Sequence, residues 1–219
     1  MTESPLAASI ARLMISTEIP PGSHVTAAGL AERLHVSRTP VREAIRELAA
    51  LGLVVVHDNR GAFVVDPDDI PTAEMIDLLA TRRRLEPWVL SLAAERRTDD
   101  DLTLIADALA AGERAMAAGD AGALNLAHHA LLRSLTSAGH NEAADIALAP
   151  LHYRTCLVFA RVAPLVLPSG WPQHAAIAAA IRSADGDTAH DLHRRHLDEI
   201  IASLEAGDDA DGEPDGHPR

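Results

Sequence analysis

Cysteine, lysine and long apolar runs are scarce or absent in this 219-residue sequence, and each absence narrows what the protein can be. The lone cysteine, Cys156, cannot form an internal disulfide, which fits a reducing compartment. No run of about 18 apolar residues occurs and no signal peptide opens the chain, so we expect a soluble, cytoplasmic protein with no membrane partner. All 19 basic residues are arginine, which we attribute to genome composition rather than to function.

Acidic residues outnumber basic ones, and the formal net charge is −13. The excess is uneven, because residues 1–65 contain six arginines and six acidic residues. The arginines of this balanced segment are concentrated in residues 38–46 and at Arg60, which gives a local positive face. Such a face suits salt-sensitive binding to nucleic acid, while an acidic remainder would repel the duplex and help to orient the basic part on it.

Residues 37–46, Ser-Arg-Thr-Pro-Val-Arg-Glu-Ala-Ile-Arg, constrain the function most tightly. Ser37 can cap a helix by accepting hydrogen bonds from first-turn N–H groups, and the proline falls where a missing N–H costs nothing. Arg38, Arg42 and Arg46 recur every four residues and therefore share one helix face. An arginine face beside a helix N-terminus is suited to entering a DNA groove and binding phosphates. On spacing alone, an ordinary solvated helix face is an equally good interpretation.

The flanking sequence favours the DNA-binding interpretation. Residues 26–34 predict a short helix with Leu30, Ala31 and Leu34 turned inward, and a tight connection leads to the second helix, which Gly52 ends. This is helix-turn-helix spacing.

A predicted hairpin follows the two helices. The β-branched runs 53–57 and 62–65 flank a turn at 58–61, which is typical of two antiparallel strands. A helix-turn-helix followed by a hairpin is a winged helix, with Arg60 and Gly61 at the tip of the wing.

Residues 5 to about 66 resemble the N-terminal domain of GntR-family bacterial transcription regulators. The resemblance is carried by Ile19–Ser23, Leu30–Leu34, Val36–Ile45, Leu51–Leu53 and Arg60–Val64. It implies that operator DNA is contacted by Arg38, Thr39, Arg42 and Arg46 of the second helix and by Arg60 and Gly61 of the wing. Residues 26–29 depart from the family pattern, where many members carry polar or charged residues, which puts a backbone contact there in doubt.

Beyond residue 66 the pattern becomes helical. Two prolines and three acidic residues in 66–71 interrupt both the helical and the strand pattern of apolar residues. They predict a linker, residues 67–72. Six segments with 3.6-residue periodicity follow, at about 72–97, 99–118, 121–138, 141–163, 171–184 and 187–205. The predicted fold is therefore mainly α: an N-terminal winged helix-turn-helix with a small β-hairpin wing (1–66), a C-terminal all-α antiparallel helical bundle (73–206) and a disordered acidic tail (207–219).

Histidines and one asparagine form a second group of candidate functional residues. Asn125 and His129 lie four residues apart on one face of a helix, and His174 and His196 lie on later helices. Bundles assemble metal sites from side chains that several helices turn inward, and imidazole with an oxygen donor suits Zn, Ni, Fe or Mn. The alternative is that histidine is simply frequent in this chain, which contains 12.

The second domain resembles the FCD ligand-binding domain of the FadR subgroup of GntR regulators, over about residues 73 to 206. The segments that carry the resemblance are Arg82–Glu86, Asn125–His129, Ala138–Asn141, His174–Ile177 and His193–Leu197. It implies a divalent metal held by Asn125, His129, His174 and His196, and a small carboxylate effector bound by Arg82. Asn125 stands where an Asp often serves, so its neutral carbonyl predicts weaker or softer-metal binding.

The sequence thus predicts a ligand-responsive transcription regulator rather than an enzyme. The resemblance implies a repressor, since repression released by an effector is the commoner behaviour in the family. A homodimer would place two headpieces on a palindromic operator. Two alternatives stay open. One is a regulator for which the metal ion itself is the effector. The other is a metal-dependent enzyme acting on a small acid, although no general base or nucleophile accompanies the predicted ligands.

Overall fold

Side chains that cap helices begin most of the helices in the computed structural model, which describes residues 4–58 and 60–211, without the side chains of 160, 164–169 and 208–211. Ser4, Thr26, Thr98, Asp120 and Asn141 each accept a hydrogen bond from a first-turn backbone N–H. The helices are α1 (Pro5–Ile15), α2 (Ala27–Leu34), α3 (Arg38–Ala50), α4 (Thr72–Arg96), α5 (Asp99–Ala118), α6 (Ala121–Ser137), α7 (Glu142–Arg182) and α8 (Gly186–Asp211). The strands are β1 (His24–Val25), β2 (Val54–His57) and β3 (Gly61–Val64).

The N-terminal part, residues 4–66, is a winged helix-turn-helix, which confirms the predicted fold, and we call it the headpiece. The turn between α2 and α3 is tight because His35 adopts a left-handed conformation with φ of 55°. The wing hairpin pairs β2 with β3 so that His57 lies opposite Gly61. A third strand, β1, was not predicted and pairs with the other side of β3. A strand of two residues is too short to show the alternation of apolar and polar residues by which strands are predicted.

The connection between the domains is held against the bundle. Pro67–Asp69 forms a short 3₁₀ helix, and Pro67 itself is buried. The Arg161 guanidinium on α7 donates to the carbonyl oxygens of Pro67 and Ile70, at 3.0 and 2.6 Å. These contacts fix the backbone that leads from the wing into α4.

The C-terminal part is a helical bundle in which α4 packs against α7 and α8, and α5 against α6. One boundary prediction is wrong: segments 141–163 and 171–184 belong to one helix, α7. Prolines disfavour a helix interior, but buried side chains on both sides, among them Val162 and Trp171, anchor this helix in the bundle. Tertiary packing outweighs local propensity here. No helix in the described ranges is long and apolar enough to cross a membrane.

Helix α8 continues to Asp211, into the segment for which the sequence predicts a disordered tail from residue 207. Leu204 is the last buried residue among the described side chains of this helix. Residues 205–207 are exposed and extend the helix past Leu204, since adding a turn to an existing helix costs little compared with nucleating one. The rest of the predicted tail, residues 212–219, lies outside the described residues.

The hydrophobic core of the headpiece continues into the bundle. Buried residues of α1 and α3, such as Ile15 and Leu48, belong to one cluster with Tyr153, Cys156 and Leu157 of α7. The two domains therefore share a core through one stretch of α7 instead of meeting only through the linker.

Candidate nucleic-acid interface and buried polar core

Helix α3 separates an apolar face from a basic one. Val41, Ala44, Ile45 and Leu48 are buried. The predicted contact residues Arg38, Thr39, Arg42 and Arg46 are all exposed. No ion pair within the described residues engages these three arginines. Their charges are therefore available to a ligand such as the phosphates of DNA.

The N-terminus of α3 is more open than predicted. Ser37 stands at the N-cap position, but its side chain makes no capping hydrogen bond, so the predicted cap is absent. The first-turn N–H groups of α3 consequently keep their hydrogen-bonding capacity. An exposed helix N-terminus with an arginine in its first turn is favourable for a phosphate.

The wing carries the other two predicted DNA contacts. Arg60 is exposed, and its guanidinium carbon lies 5.9 Å from the centre of the Phe63 ring, a distance compatible with a cation–π interaction. Gly61 has φ of 92°, and a Cβ there would collide with the imidazole of His24. The His24 imidazole is exposed and could turn away, so it is the positive φ, which strains any residue with a Cβ, that favours glycine here.

A small cavity of about 40 Å³ lies inside the bundle. Its walls are mainly apolar, with Arg82, His128, His174 and His196 as the charged or titratable lining residues. The volume is enough for a water molecule or one small polar group. Any larger molecule would require the bundle to open.

Glu86 forms the centre of the polar core beside this cavity. Its carboxylate is fully buried and accepts hydrogen bonds from Arg82 Nε and Nη2 at 2.7 and 2.9 Å. It also accepts from His152 Nε2 at 3.1 Å and from His193 Nε2 at 2.6 Å. Burial alone would raise the pKa of Glu86, but the Arg82 charge and these histidine bonds hold it well below its usual value.

The histidines around the cavity are neutral bases. Burial lowers the pKa of His174 to about 3 and moves the pKa values of His128 and His196 well below their usual range. His196 Nδ1 donates to Gln173 Oε1 at 2.6 Å, because the amide nitrogen of this glutamine is committed to Glu199. The His196 Nε2 atom therefore carries a lone pair. Both ring nitrogens of His174 are buried without a partner.

The structure brings only part of the predicted metal ligand set together. His174 and His196 are neighbours, with ring centres 4.6 Å apart, but His129 packs on Tyr153, also at 4.6 Å. It is the preceding residue, His128, whose ring centre lies 5.4 Å from that of His174. No three His, Cys, Asp or Glu side chains among the described residues are grouped closely enough to hold a metal ion.

Asn125 takes part in the contact between the domains instead. Its amide nitrogen donates to the carbonyl oxygens of Ile15 at 3.2 Å and Cys156 at 2.9 Å, and so bridges α1 and α7. One turn earlier, a Cβ on Gly122 would lie 2.5 Å from the carbonyl oxygen of Ser16. Helix α6 thus touches the end of α1 directly. The predicted four-residue ligand set is not formed in this arrangement, because Asn125 and His129 face the headpiece.

Arg82 is buried and lines the cavity, as an effector-binding residue would, but it already has partners. Besides Glu86, it bonds Thr155 Oγ1 through Nη1 at 3.1 Å. The sequence did not indicate that Glu86 accepts hydrogen bonds from several buried side chains, nor that His152 and His193 are buried. The arginine–glutamate spacing of four residues on one helix was the available signal for the pair.

Comparisons with known proteins cover both domains. A family model for the FCD domain matches residues 77–199, more than half of the chain, and the model for bacterial regulatory proteins, gntR family, matches residues 2–64. The HTH-type transcriptional regulator LutR of Bacillus subtilis is 36% identical over 105 residues, 42% of this chain and 48% of LutR. The galactonate operon transcriptional repressor of Escherichia coli is 32% identical over 196 residues, 77% of this chain and 82% of that protein.

The extent of these matches differs. Alignments with LutR and two further curated relatives span 48%, 58% and 45% of the relatives' own length. The solved structure of E. coli McbR/YncC superposes with a TM-score of 0.74 at 21% identity, over 92% of this chain and 96% of that one. At that identity the likeness shows a shared fold.

Proposed function

Since the chain belongs to the GntR family of bacterial regulatory proteins, carries an FCD domain and is a transcriptional regulator rather than an enzyme, we propose that it is a cytoplasmic, effector-controlled repressor of the FadR subgroup. The observation that carries this proposal is the exposed basic face of α3. Its apolar face is buried in the headpiece, and its arginines have no protein partner among the described residues.

Operator recognition is assigned to α3 and the wing. Arg38, Thr39, Arg42 and Arg46 enter the major groove, and Arg60 with Gly61 contacts the adjacent backbone or minor groove. A bidentate arginine–guanine pair contributes about 1–3 kcal/mol of discrimination between bases. A homodimer presents two such helices, and the operator is consequently a palindrome whose half-site spacing follows the dimer.

The DNA assignment is tested with duplexes selected from a random library by the wild-type protein. Arg42→Ala should lower affinity for the selected duplex at least 10-fold at moderate salt, with an unchanged circular dichroism spectrum. Arg33→Ala is the matched control, since Arg33 is a headpiece arginine paired with Glu18 at 2.9 Å. Equal affinities of the wild type and Arg42→Ala would refute the placement of the recognition helix.

We assign effector binding to the cavity beside Arg82. A small carboxylate fits the chemistry there, because a guanidinium binds a carboxylate bidentately and the neutral His174 imidazole, whose nitrogens have no partner, can donate a further hydrogen bond. Since Glu86 already occupies one edge of Arg82, the effector must use the remaining N–H groups or displace that bond. The small volume means that binding enlarges the cavity and moves its walls.

One turn of α7 connects this cavity to the headpiece. Thr155 bonds Arg82 and lines the cavity, while Cys156, the next residue, is in the headpiece core and accepts a hydrogen bond from Asn125. Displacement of this turn by a bound acid would change the surface of α7 against which α1 packs. The effector changes operator affinity only by its differential affinity for the two arrangements, and release from the operator is the proposed outcome.

A panel of small organic acids, galactonate among them, tests the effector assignment. The acid that releases the selected duplex should also raise the melting temperature, and Arg82→Met should abolish both effects. Arg83→Met is the matched control, because Arg83 pairs with Asp198 near the surface. An acid that acts equally on the wild type and Arg82→Met binds elsewhere.

Metal binding by Asn125, His129, His174 and His196 stays a prediction, as does the alternative that the ion is the effector. The unpartnered nitrogens of His174 favour a ligand near it, but His129 would have to leave Tyr153 to join it. Elemental analysis of untreated protein decides the matter. A stoichiometric metal that is lost in His129→Ala supports the predicted set, and retention of the metal in that variant shows that other ligands hold it.

A further inference from the structure

Trp171 forms part of the wall of the cavity inside the bundle, and its indole N–H makes no hydrogen bond with any described residue. The side chain is only 4% exposed, and its Nε1 atom is buried without a partner. It lines the same cavity as Arg82 and His174. A buried tryptophan N–H usually finds an acceptor, because leaving this donor unpaired away from water is unfavourable. The orphaned N–H therefore points to a ligand of the cavity.

Packing on two sides keeps the indole in the cavity wall. Helix α5 carries a glycine, Gly112, where the ring lies, and a Cβ at that position would collide with the six-membered ring of Trp171. On the other side, the indole stands edge-on to His174, with 5.6 Å between the ring centres and an interplanar angle of 81°. The indole is thus confined between α5 and His174, so that its N–H is placed before any ligand enters.

The chemistry of the indole limits what that ligand can be. Its N–H donates a hydrogen bond and cannot accept one. A partner for it must carry a lone pair, as a carboxylate or hydroxyl oxygen does, whereas a bare metal ion cannot serve. Thr155, the hydroxyl residue of the cavity wall, already accepts from Arg82 and donates to the carbonyl oxygen of Leu151.

Arg82 by itself cannot satisfy a buried carboxylate. Three of its five N–H groups donate to Glu86 and Thr155, which leaves two for a ligand. A carboxylate has about four lone-pair sites on its two oxygens. Without a further donor, part of its charge would be buried unpaired, which is costly. The Trp171 N–H is a donor of the required kind in the wall of the same cavity.

We propose that Trp171 is a second effector-recognition residue, whose indole N–H donates to an oxygen of the acid that Arg82 binds. This inference rests on the proposed function, because it takes the cavity as the effector site. It also separates the effector alternatives, since a metal ion bound alone would leave this N–H without an acceptor.

NMR of protein labelled with ¹⁵N-tryptophan tests the contact directly. The sequence has two tryptophans, so Trp88→Phe leaves Trp171 as the source of the one indole resonance. Trp88 is half-exposed and does not line the cavity. Formate is the probe, because it is the smallest carboxylate, and it is added to about 50 mM since a ligand of so few atoms binds weakly. The indole proton should shift downfield and saturate with formate but not with equal sodium chloride. A resonance that formate moves no more than chloride does would overturn the proposal.

Operator release provides a second test. Trp171→Phe removes the donor and keeps an aromatic ring, and Trp88→Phe is the matched control. A hydrogen bond to a charged acceptor changes affinity by about 10-fold or more. The acid that releases the wild type should therefore need at least about a 10-fold higher concentration with Trp171→Phe, and an unchanged one with Trp88→Phe. Equal release of both variants would contradict the proposal. If Trp171→Phe does not fold, the NMR result decides.

Failure of this inference and failure of the proposed function are distinguishable. If formate shifts the Trp171 resonance but no acid releases the protein from DNA, the cavity binds carboxylates and the proposed regulation is wrong. If an acid releases the operator from Trp171→Phe as readily as from Trp88→Phe, the regulator stands and the role of Trp171 is wrong.

Discussion

Replacement of Glu86 tests whether the buried polar core stabilises the bundle. The carboxylate is 0% exposed and accepts four hydrogen bonds from Arg82, His152 and His193. Glu86→Ala leaves the Arg82 charge buried without its counter-charge and two histidine donors without an acceptor. Breaking one side of a buried ion pair costs about 3–5 kcal/mol, which is a large part of the roughly 5–15 kcal/mol that stabilises a typical domain.

The measurement is urea unfolding at pH 7, followed by circular dichroism at one fixed protein concentration, since self-association would make stability concentration-dependent. Glu74→Ala is the matched control, because Glu74 lies on the same helix and pairs with Arg154 at the surface. That exposed pair should contribute less than about 1 kcal/mol.

A double variant, Arg82→Met with Glu86→Leu, sharpens the test. It should be destabilised by less than the sum of the two single changes, because removing both charges leaves no unpaired ion in the core. A loss of less than about 1 kcal/mol for Glu86→Ala, close to that of an exposed pair, would refute the view that Glu86 neutralises Arg82 in the folded protein.

Further predictions concern pH, the wing and the domain contact. Because burial lowers the pKa of His174 to about 3, the unfolded chain binds a proton at this residue that the folded one does not below about pH 6.5, and His174 alone should lower stability by about 1.6 kcal/mol between pH 6.5 and pH 5; the difference in slope between urea unfolding of the wild type and of His174→Gln measures this share, and equal slopes would contradict it. Gly61→Ala should weaken operator binding at least 5-fold in a gel-shift assay while the helical content is kept, since a φ of 92° strains any residue with a Cβ and the wing tip must change its conformation; full affinity would show that the wing tip does not contact DNA. Gly122→Ala should lower stability by about 1–3 kcal/mol because Ser16 backbone must move, whereas Gly207→Ala, with open space around it, should not; similar melting temperatures for the two variants would argue against a tight junction.

The headpiece was predictable because its signals are local. The spacing of Arg38, Arg42 and Arg46 and the run of buried side chains opposite them follow from the 3.6-residue period alone. The tight turn at His35 and the helix end at Gly52 also follow from short stretches. Strand β1 escaped prediction since two residues owe their conformation to pairing with β3 and not to their own sequence.

The interior of the bundle was harder to predict because rotation of a helix about its axis decides which of two adjacent residues faces the centre. His128 and His129 differ by one position, about 100° on the helix, and the structure turns the first toward His174 and the second toward Tyr153. Family resemblance pointed to His129 and Asn125. Sequence spacing could not reveal that α1 packs against the face of α6 that carries Asn125 and His129.

The core that runs from α1 and α3 into α7 limits how this regulator can be re-engineered. A chimera that joins this headpiece to another sensor domain at residue 66 would uncover Ile15 and the rest of the shared core, and would leave the Ile15 carbonyl without the Asn125 amide. Transplanting specificity should succeed better by grafting the exposed residues of α3 onto a related headpiece than by exchanging whole domains. Recombination that exchanges whole domains among such regulators is restricted in the same way, since the new headpiece and bundle must pack together in this shared core.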